Sequence, residues 1–363
     1  YGRLAGFLFG WTMFGVVQSG TIAAVAVAFA KFLGVLVPGL PNRVVAVALI
    51  LGLTASNATG LKAGTLTQRV FTAAKVLALM ALTAFALARP GAQGALASAD
   101  FWRAMSPSGA ALGGFALLAA LGTAMVGPLF SQTAWTNVTF AGEEVEEPGK
   151  TLPRALFIGC LTVSVLYVLA NVGYLKVLPL VQLQHAPEDR VATAVAVALW
   201  GVPGARLIAV GIMVSTFGCL NGLILSGARV SFAMARDGLF FRRLERLNRA
   251  SVPAPALWIQ ALWSCLLALS GSYSDLLNYV VSVDLLFYVF LAMAVLVLRH
   301  RRPEWARPFR APGAPVLVAV YAALALGLIG VLGWANAKTT GAGYALMLSG
   351  VPVFFFWKRR SRA

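Results

Sequence analysis

Charged residues are scarce in this sequence of 363 residues, since only 11% are Asp, Glu, Lys or Arg and only 12 are acidic. Soluble globular domains carry about 25% charged residues, so this scarcity argues against a soluble fold. Hydrophobic residues make up 60% of the chain and the mean hydropathy is +0.82. The composition therefore predicts a polytopic membrane protein.

Groups that support soluble catalysis or metal binding are also rare. The chain has two histidines, both in predicted loops, and three cysteines that stand singly in apolar runs. No Ser/His/Asp order, phosphate-binding glycine loop or metal-ligand spacing occurs. We therefore predict no enzyme, no cofactor and no metal site, and interpret the cysteines as small core residues.

Basic residues outnumber acidic ones, which gives a formal net charge of +17. Nearly all Lys and Arg lie between apolar runs, and no basic face with interleaved aromatic residues occurs, so no nucleic-acid partner is predicted. The loops place 20 basic residues on one side of a bilayer and 8 on the other, with Lys75 left inside it. By the positive-inside rule, this bias predicts an integral protein of the cell membrane with both termini in the cytoplasm.

Apolar segments long enough to cross a hydrocarbon core recur along the chain. They are 4–33, 44–60, 70–89, 112–140, 153–177, 205–233, 255–271, 275–298, 314–334 and 340–357. A further apolar stretch, 191–201, is too short to span the bilayer. It is predicted to lie on the surface and to lead into the span 205–233. The predicted fold class is therefore an all-α polytopic membrane protein with about ten transmembrane helices.

The segment 112–140 is interrupted in its middle by Gly127-Pro128 and then by the polar run SQTAWTN. Proline removes a backbone donor and clashes with the preceding turn, and glycine leaves a helix at low cost. Backbone freed inside a bilayer must be satisfied by protein or by a water-lined cavity, and broken helices build substrate sites in secondary transporters. We predict that Phe130 to Trp135 is non-helical and lines a cavity. The alternative is a kinked helix whose polar side chains bond to neighbouring helices.

Two charged side chains lie inside apolar segments, Lys75 and Asp284. A charge at this depth is costly and marks a candidate functional site. Lys75 is predicted to occupy a cation site or to take part in proton coupling, with a structural lysine bonded to a neighbouring helix as the alternative. Asp284 is predicted to face a central cavity, with a hydrogen-bonded strut as the alternative.

The run GEEVEEPGKTLPRAL, which follows the interrupted segment, resembles the amino acid–polyamine–organocation permeases. Their broken sixth helix ends in F-x-GEE-x-x-x-P-x-x-x-LP-x-A, and the matching residues are Phe140, Gly142, Glu143, Glu144, Pro148, Leu152, Pro153 and Ala155. FTAAKVLAL resembles the family's fifth helix, STFG-x-x-NG and A-x-ARDG its eighth helix and following loop, and LRHRRPE-x-x-RPFR the loop after its tenth helix.

The resemblance implies a leucine-transporter-type fold of inverted repeats, with helices three to twelve present and the first two missing at the N-terminus. Residues 1–363 would form one permease domain, in which 1–90 is the remainder of the first repeat, 112–298 the second repeat and 314–357 two peripheral helices. The implied function is sodium-independent secondary transport of amino acids, by proton coupling or exchange, with the broken helix around 127–137 forming half of the substrate site. The alternatives are a transport-inactive membrane scaffold or fragment, and a channel-like pore.

The resemblance also implies roles for individual residues, with an amino acid, the lipid bilayer and protons as partners. Lys75 stands where a lysine replaces the sodium of sodium-coupled relatives, and Ser215 and Thr216 are placed to face it, although each hydroxyl has a bond within its own helix as the alternative. Glu143 and Glu144 are predicted to form an inner gate by pairing with Arg3 or Arg69, with a solvated acidic helix end as the alternative. The implied substrate-binding residues, of which the first would gate the site from outside, are Phe130, Ser131, Gln132, Thr133, Ala134, Trp135 and Asp284.

Overall fold

The computed structural model of the chain describes residues 1–60, 65–90, 94–103, 112–133, 135–138, 145–271, 273–307 and 309–360. These residues form helices and connecting turns, with no strand among them. The helices longer than five residues are α1 (Arg3–Leu36), α2 (Asn42–Ala58), α3 (Thr65–Ala88), α4 (Gly114–Ala124), α5 (Val126–Ser131), α6 (Pro148–Val177), α7 (Val191–Arg236), α8 (Ala254–Ser270), α9 (Tyr273–Arg301), α10 (Ala314–Ala335) and α11 (Ala337–Arg360).

The described helices agree with the predicted spans in number and place. Seven segments are long and apolar enough to cross a bilayer, namely α1, the α4–α5 segment, α6, α7, α9, α10 and α11. The shorter apolar helices α2, α3 and α8 complete a set that matches the ten predicted spans one by one. The prediction of an all-α polytopic membrane protein is therefore confirmed.

Helix α1 lies at the centre of the bundle, where it packs against α2, α7, α8 and α9. One of its faces carries the small residues Gly20 and Ala24, which lie four residues apart and are buried. A Cβ added at Gly20 would strike the side chain of Val280 on α9. The small residues therefore permit the close helix contact on which the centre of the bundle depends.

A π-helical stretch, Met13–Gln18, interrupts α1. The carbonyl of Gly15 within it accepts hydrogen bonds from the indole Nε1 of Trp263 at 2.8 Å and from the hydroxyl of Tyr279 at 3.0 Å. Trp263 lies on α8 and Tyr279 on α9, so two neighbouring helices satisfy this carbonyl. Such partners are needed because the hydrocarbon core offers none.

Helix α7 changes direction at Gly201, whose φ of 68° and ψ of −159° are accessible to glycine at little cost. The arm before this glycine, predicted to lie on the surface, buries Val195 and Ala196 in a cluster with Leu82 of α3. Its opposite face is exposed, as at Val197. The arm thus covers the ends of α3 and α6 with one face only.

The turn before α7 is tied to the end of α1 by polar contacts. Nζ of Lys31 lies 3.4 Å from the carboxylate of Asp189, and the guanidinium of Arg190 donates to the Lys31 carbonyl at 2.7 Å. The Asn42 amide donates to the Glu188 carboxylate at 3.4 Å. These contacts fix the loop that leads into α7 against the end of α1.

Candidate functional site

The interrupted segment is irregular at two places, only slightly at the first, where Met125 keeps right-handed helical angles of φ −73° and ψ −13°. Helix α4 ends at Ala124, the residue whose carbonyl would have paired with the amide proton that Pro128 lacks. After Met125, helix α5 continues to Ser131, and Gln132 then leaves the helix with φ −102° and ψ 5°. The proline therefore causes the first break, one turn upstream, and the polar run forms the second.

The second break gives the candidate site its shape. Phe130 and Ser131 are still helical, which differs from the predicted non-helical stretch, whereas Gln132 and Thr133 form a turn. The amide of Thr133 bonds to the carbonyl of Phe130 at 3.1 Å, a tight contact that closes the end of α5. Trp135 begins a short 3₁₀ turn, 135–138.

A cavity of about 270 Å³ lies beside this turn. Polar and aromatic residues from the break, α9 and α10 line it, namely Gln132, Thr133, Trp135, Asp284, Tyr288 and Tyr321. A second, much smaller cavity is lined by Gln18, Thr21, Thr133, Thr136, Asn137 and Asp284, together with Tyr288. Thr133, Asp284 and Tyr288 line both, so the two spaces adjoin.

Asp284 is the acidic residue of this site and is only 3% exposed. Tyr288, one helical turn later, lines the same two cavities. One of the two carboxylate oxygens of Asp284, Oδ2, has no hydrogen-bond partner within the described part of the chain. No Lys, Arg or His is among the described residues that line either cavity. The site therefore holds a buried carboxylate with one oxygen unused.

Lys75 lies in a different cavity, of about 430 Å³. Ser215 of α7 and Tyr167 and Tyr174 of α6 also line it, together with apolar residues of α3 and α7. The hydroxyl of Thr216 donates to the carbonyl of Ile212 at 2.8 Å, the bond within its own helix named as the alternative. Lys75 and Ser215 therefore line one cavity, while Thr216 lines neither this cavity nor the site beside Asp284, and the ion-coupling role of all three stays a prediction.

The amino acid permease family matches residues 1–357. The chain belongs to this family. The resemblance carried by the motifs is therefore confirmed, and so is the prediction that the chain is a membrane transporter and not an enzyme. Because the match extends over nearly the whole chain, it includes the broken segment, Lys75 and Asp284.

Individual relatives of this permease are amino acid transporters by name. The large neutral amino acids transporter small subunit 2 of Mus musculus is 30% identical over 387 residues, which cover 100% of this chain and 68% of the relative. Asc-type amino acid transporter 1 of Mus musculus is 30% identical over 390 residues with the same shares. The serine/threonine exchanger SteT of Bacillus subtilis is 29% identical over 366 residues, 99% of this chain and 80% of the relative.

The remaining predicted site residues of the permease either lie away from the two cavities or fall outside the described part of the chain. Phe130 is half-buried against the hydrophobic clusters around α1 and α9, and the hydroxyl of Ser131 donates to the carbonyl of Pro128 at 2.7 Å. Neither residue lines the two adjoining cavities. Ala134, Glu143 and Glu144 lie outside the described residues, as does the side chain of Arg69, so the predicted inner-gate pairs stay predictions.

Trp135 and Gln132 connect the break of the permease to neighbouring helices. The indole of Trp135, which is 41% exposed, packs against the ring of Tyr288 with centroids 5.4 Å apart. The amide of Gln132 donates to the hydroxyl of Ser164 on α6 at 3.5 Å. The turn is therefore held between α6 and α9.

Sequence reasoning missed several groups of this site, among them Gln18 and Tyr288. Gln18 is a buried amide in an apolar span, and a polar residue in such a span is itself a signal for a functional position. Tyr288 follows Asp284 by four residues, the spacing that brings two side chains onto one helix face. Both signals could have been read from the sequence.

Proposed function

We propose that this permease is a sodium-independent secondary transporter that exchanges amino acids across the cell membrane. The observation that carries the proposal is the turn at Gln132 and Thr133, which ends α5 beside a cavity shared with Asp284 and Tyr288. Discontinuous helices with a cavity at the break are the usual architecture of a transporter site. Membership of the amino acid permease family supports the substrate class.

The end of α5 suits the amino group that every substrate of this class carries. Helix C-termini hold partial negative charge, which stabilises a nearby cation by about 0.3–1 kcal/mol. The turn that follows Ser131 adds the Thr133 hydroxyl and the Gln132 side chain to the same cavity. We propose that Gln132, Thr133, Trp135 and Asp284 contact substrate, and that Phe130 and Ser131 support the turn from within α5.

Lys75 supports sodium independence in this proposal. Its side chain lines a cavity of its own with Ser215, between α3, α6 and α7. A fixed ammonium at this place supplies the positive charge that a bound sodium ion would otherwise supply. Protons are the coupling ion that such a lysine could serve.

The proposed orientation places both termini in the cytoplasm, because 20 basic residues fall in loops of one side and 8 in loops of the other. We further propose that 1–90 belongs to a first repeat, 112–298 forms a second repeat, and 314–357 adds two peripheral helices. The turn before α7, with Lys31, Asp189 and Arg190, would then face the outside.

The test is exchange in proteoliposomes that contain the purified permease. Uptake of a labelled amino acid should require an unlabelled amino acid inside, should saturate, and should be unchanged when choline replaces sodium. Protein-free liposomes give the background. Linear uptake without saturation would indicate a channel-like pore, and no flux above background would indicate a scaffold. Uptake that needs sodium would contradict the sodium-independent part of the proposal.

A further inference from the structure

We propose that Asp284 selects amino acids whose side chain carries a positive charge, such as lysine, arginine and ornithine. The inference rests on the proposed function and names the substrate class of the same site. It starts from the unused carboxylate oxygen in a cavity of about 270 Å³, near the lower end of the range for small-molecule pockets.

The first step is the geometry of the carboxylate. Asp284 lines both adjoining cavities and is nearly fully buried. Its Oδ2 accepts no hydrogen bond from the described residues. A buried polar atom of this kind calls for a partner. Oδ2 itself is covered in this structure, and rotation of the carboxylate about χ2 would turn it towards the cavity that Asp284 lines.

The second step is the charge of the site. Among the described residues that line the two cavities, none is basic, and Lys75 lines a cavity that shares no residue with them. A buried carboxylate is costly to keep ionised unless a cation pairs with it. An ammonium or guanidinium group on the substrate would provide that cation and use the free oxygen.

The third step is the remaining wall of the cavity. Trp135, Tyr288 and Tyr321 present aromatic rings, which attract cations through their faces. Gln132 and Thr133 add oxygen atoms that accept hydrogen bonds from an ammonium group. A neutral aliphatic side chain would fill the same space but leave Oδ2 without a partner.

The experiment compares ligands that differ in side-chain charge but little in shape. Lysine is paired with norleucine and arginine with citrulline, as competitors of labelled exchange and as stabilisers of the purified permease against heat. We expect each cationic ligand to act at a concentration at least about tenfold lower than its neutral counterpart. In Asp284→Asn this preference should disappear. The matched control is Asp275→Asn on the same helix, which removes an exposed carboxylate that lines neither cavity and should keep the preference.

Equal potency of lysine and norleucine in the wild-type protein would overturn the inference, because a carboxylate with a purely structural role does not distinguish them. An unchanged preference in Asp284→Asn would overturn it as well. If Asp284→Asn does not fold, the wild-type comparison decides alone. Absence of exchange for every amino acid contradicts the proposed function instead, and thermal stabilisation by lysine but not norleucine would then still support the charge preference.

Discussion

The side chains of Gln18 and Asn137 meet across 3.3 Å, with Nε2 of Gln18 donating to Oδ1 of Asn137. Gln18 lies at the end of the π-helical stretch of α1, and Asn137 lies in the 3₁₀ turn after the second break. The bond joins the central helix to the broken segment beside the small cavity that Asp284 also lines. It thereby connects the two departures from regular helix that shape the site.

We expect Gln18→Leu to lower the free energy of unfolding by about 1–3 kcal/mol, because the part-buried Oδ1 of Asn137 loses its donor. Exchange should also need a higher substrate concentration, since the turn beside Asp284 loses its tie to α1. Asn137→Leu should have a similar effect, and the double variant should cost less than the sum of the two.

The control for this pair is Asn171→Leu, which removes an exposed amide that donates to the Tyr167 carbonyl of its own helix. It should change the free energy of unfolding by less than about 0.5 kcal/mol. Strict additivity of Gln18→Leu and Asn137→Leu would show that the two side chains do not interact.

The π-helical stretch gives a second prediction, since the Gly15 carbonyl accepts from both Trp263 and Tyr279. Trp263→Phe and Tyr279→Phe should each lower the free energy of unfolding by about 1 kcal/mol. Together they should cost more than the sum, because either donor alone still satisfies the carbonyl. Thermal unfolding in detergent measures this, with Trp258→Phe as the control at an exposed indole.

Much of the fold could be predicted because the bilayer sets the length of its apolar segments. All ten predicted spans appear as helices in the described residues, from Arg3–Leu36 to Ala337–Arg360. The motif that follows the broken segment identified the family because its prolines and small residues stand at the same spacing as in the family's pattern. The burial of one face of the arm before Gly201 could not be read from the sequence, because it depends on packing against α3.

The site could be predicted only in part. Phe130 and Ser131 continue α5 past Pro128 and the chain leaves the helix at Gln132, so the non-helical stretch was predicted two residues too early. The direction of Thr216 could not be read from the sequence, because its rotamer decides between the Ile212 carbonyl and a cavity. Asp284 could be predicted because a carboxylate within an apolar segment is costly and therefore marks a candidate functional site.

The small-residue face of α1 gives a third prediction. Gly20→Ala should lower the free energy of unfolding by about 1–3 kcal/mol, because its Cβ would strike the branched side chain of Val280. Gly52→Ala on α2 is the matched control, since its Cβ would meet nothing within 4 Å. That variant should be neutral or stabilising by up to about 1 kcal/mol through helix propensity. Equal effects of the two substitutions would contradict close packing at Gly20.

The last prediction concerns Lys75, whose cavity with Ser215 is separate from the one beside Asp284. If the ammonium serves coupling and not substrate contact, Lys75→Met should flatten the pH dependence of exchange while changing the KM by less than about threefold. Ser215→Ala should act in the same direction, whereas Thr216→Val should have little effect because that hydroxyl is already bonded to Ile212. Lys338→Met, at an exposed lysine of α11, is the control and should leave the profile unchanged. An undiminished pH dependence in Lys75→Met would make Lys75 a structural lysine, and a large rise in KM would place it in substrate binding instead.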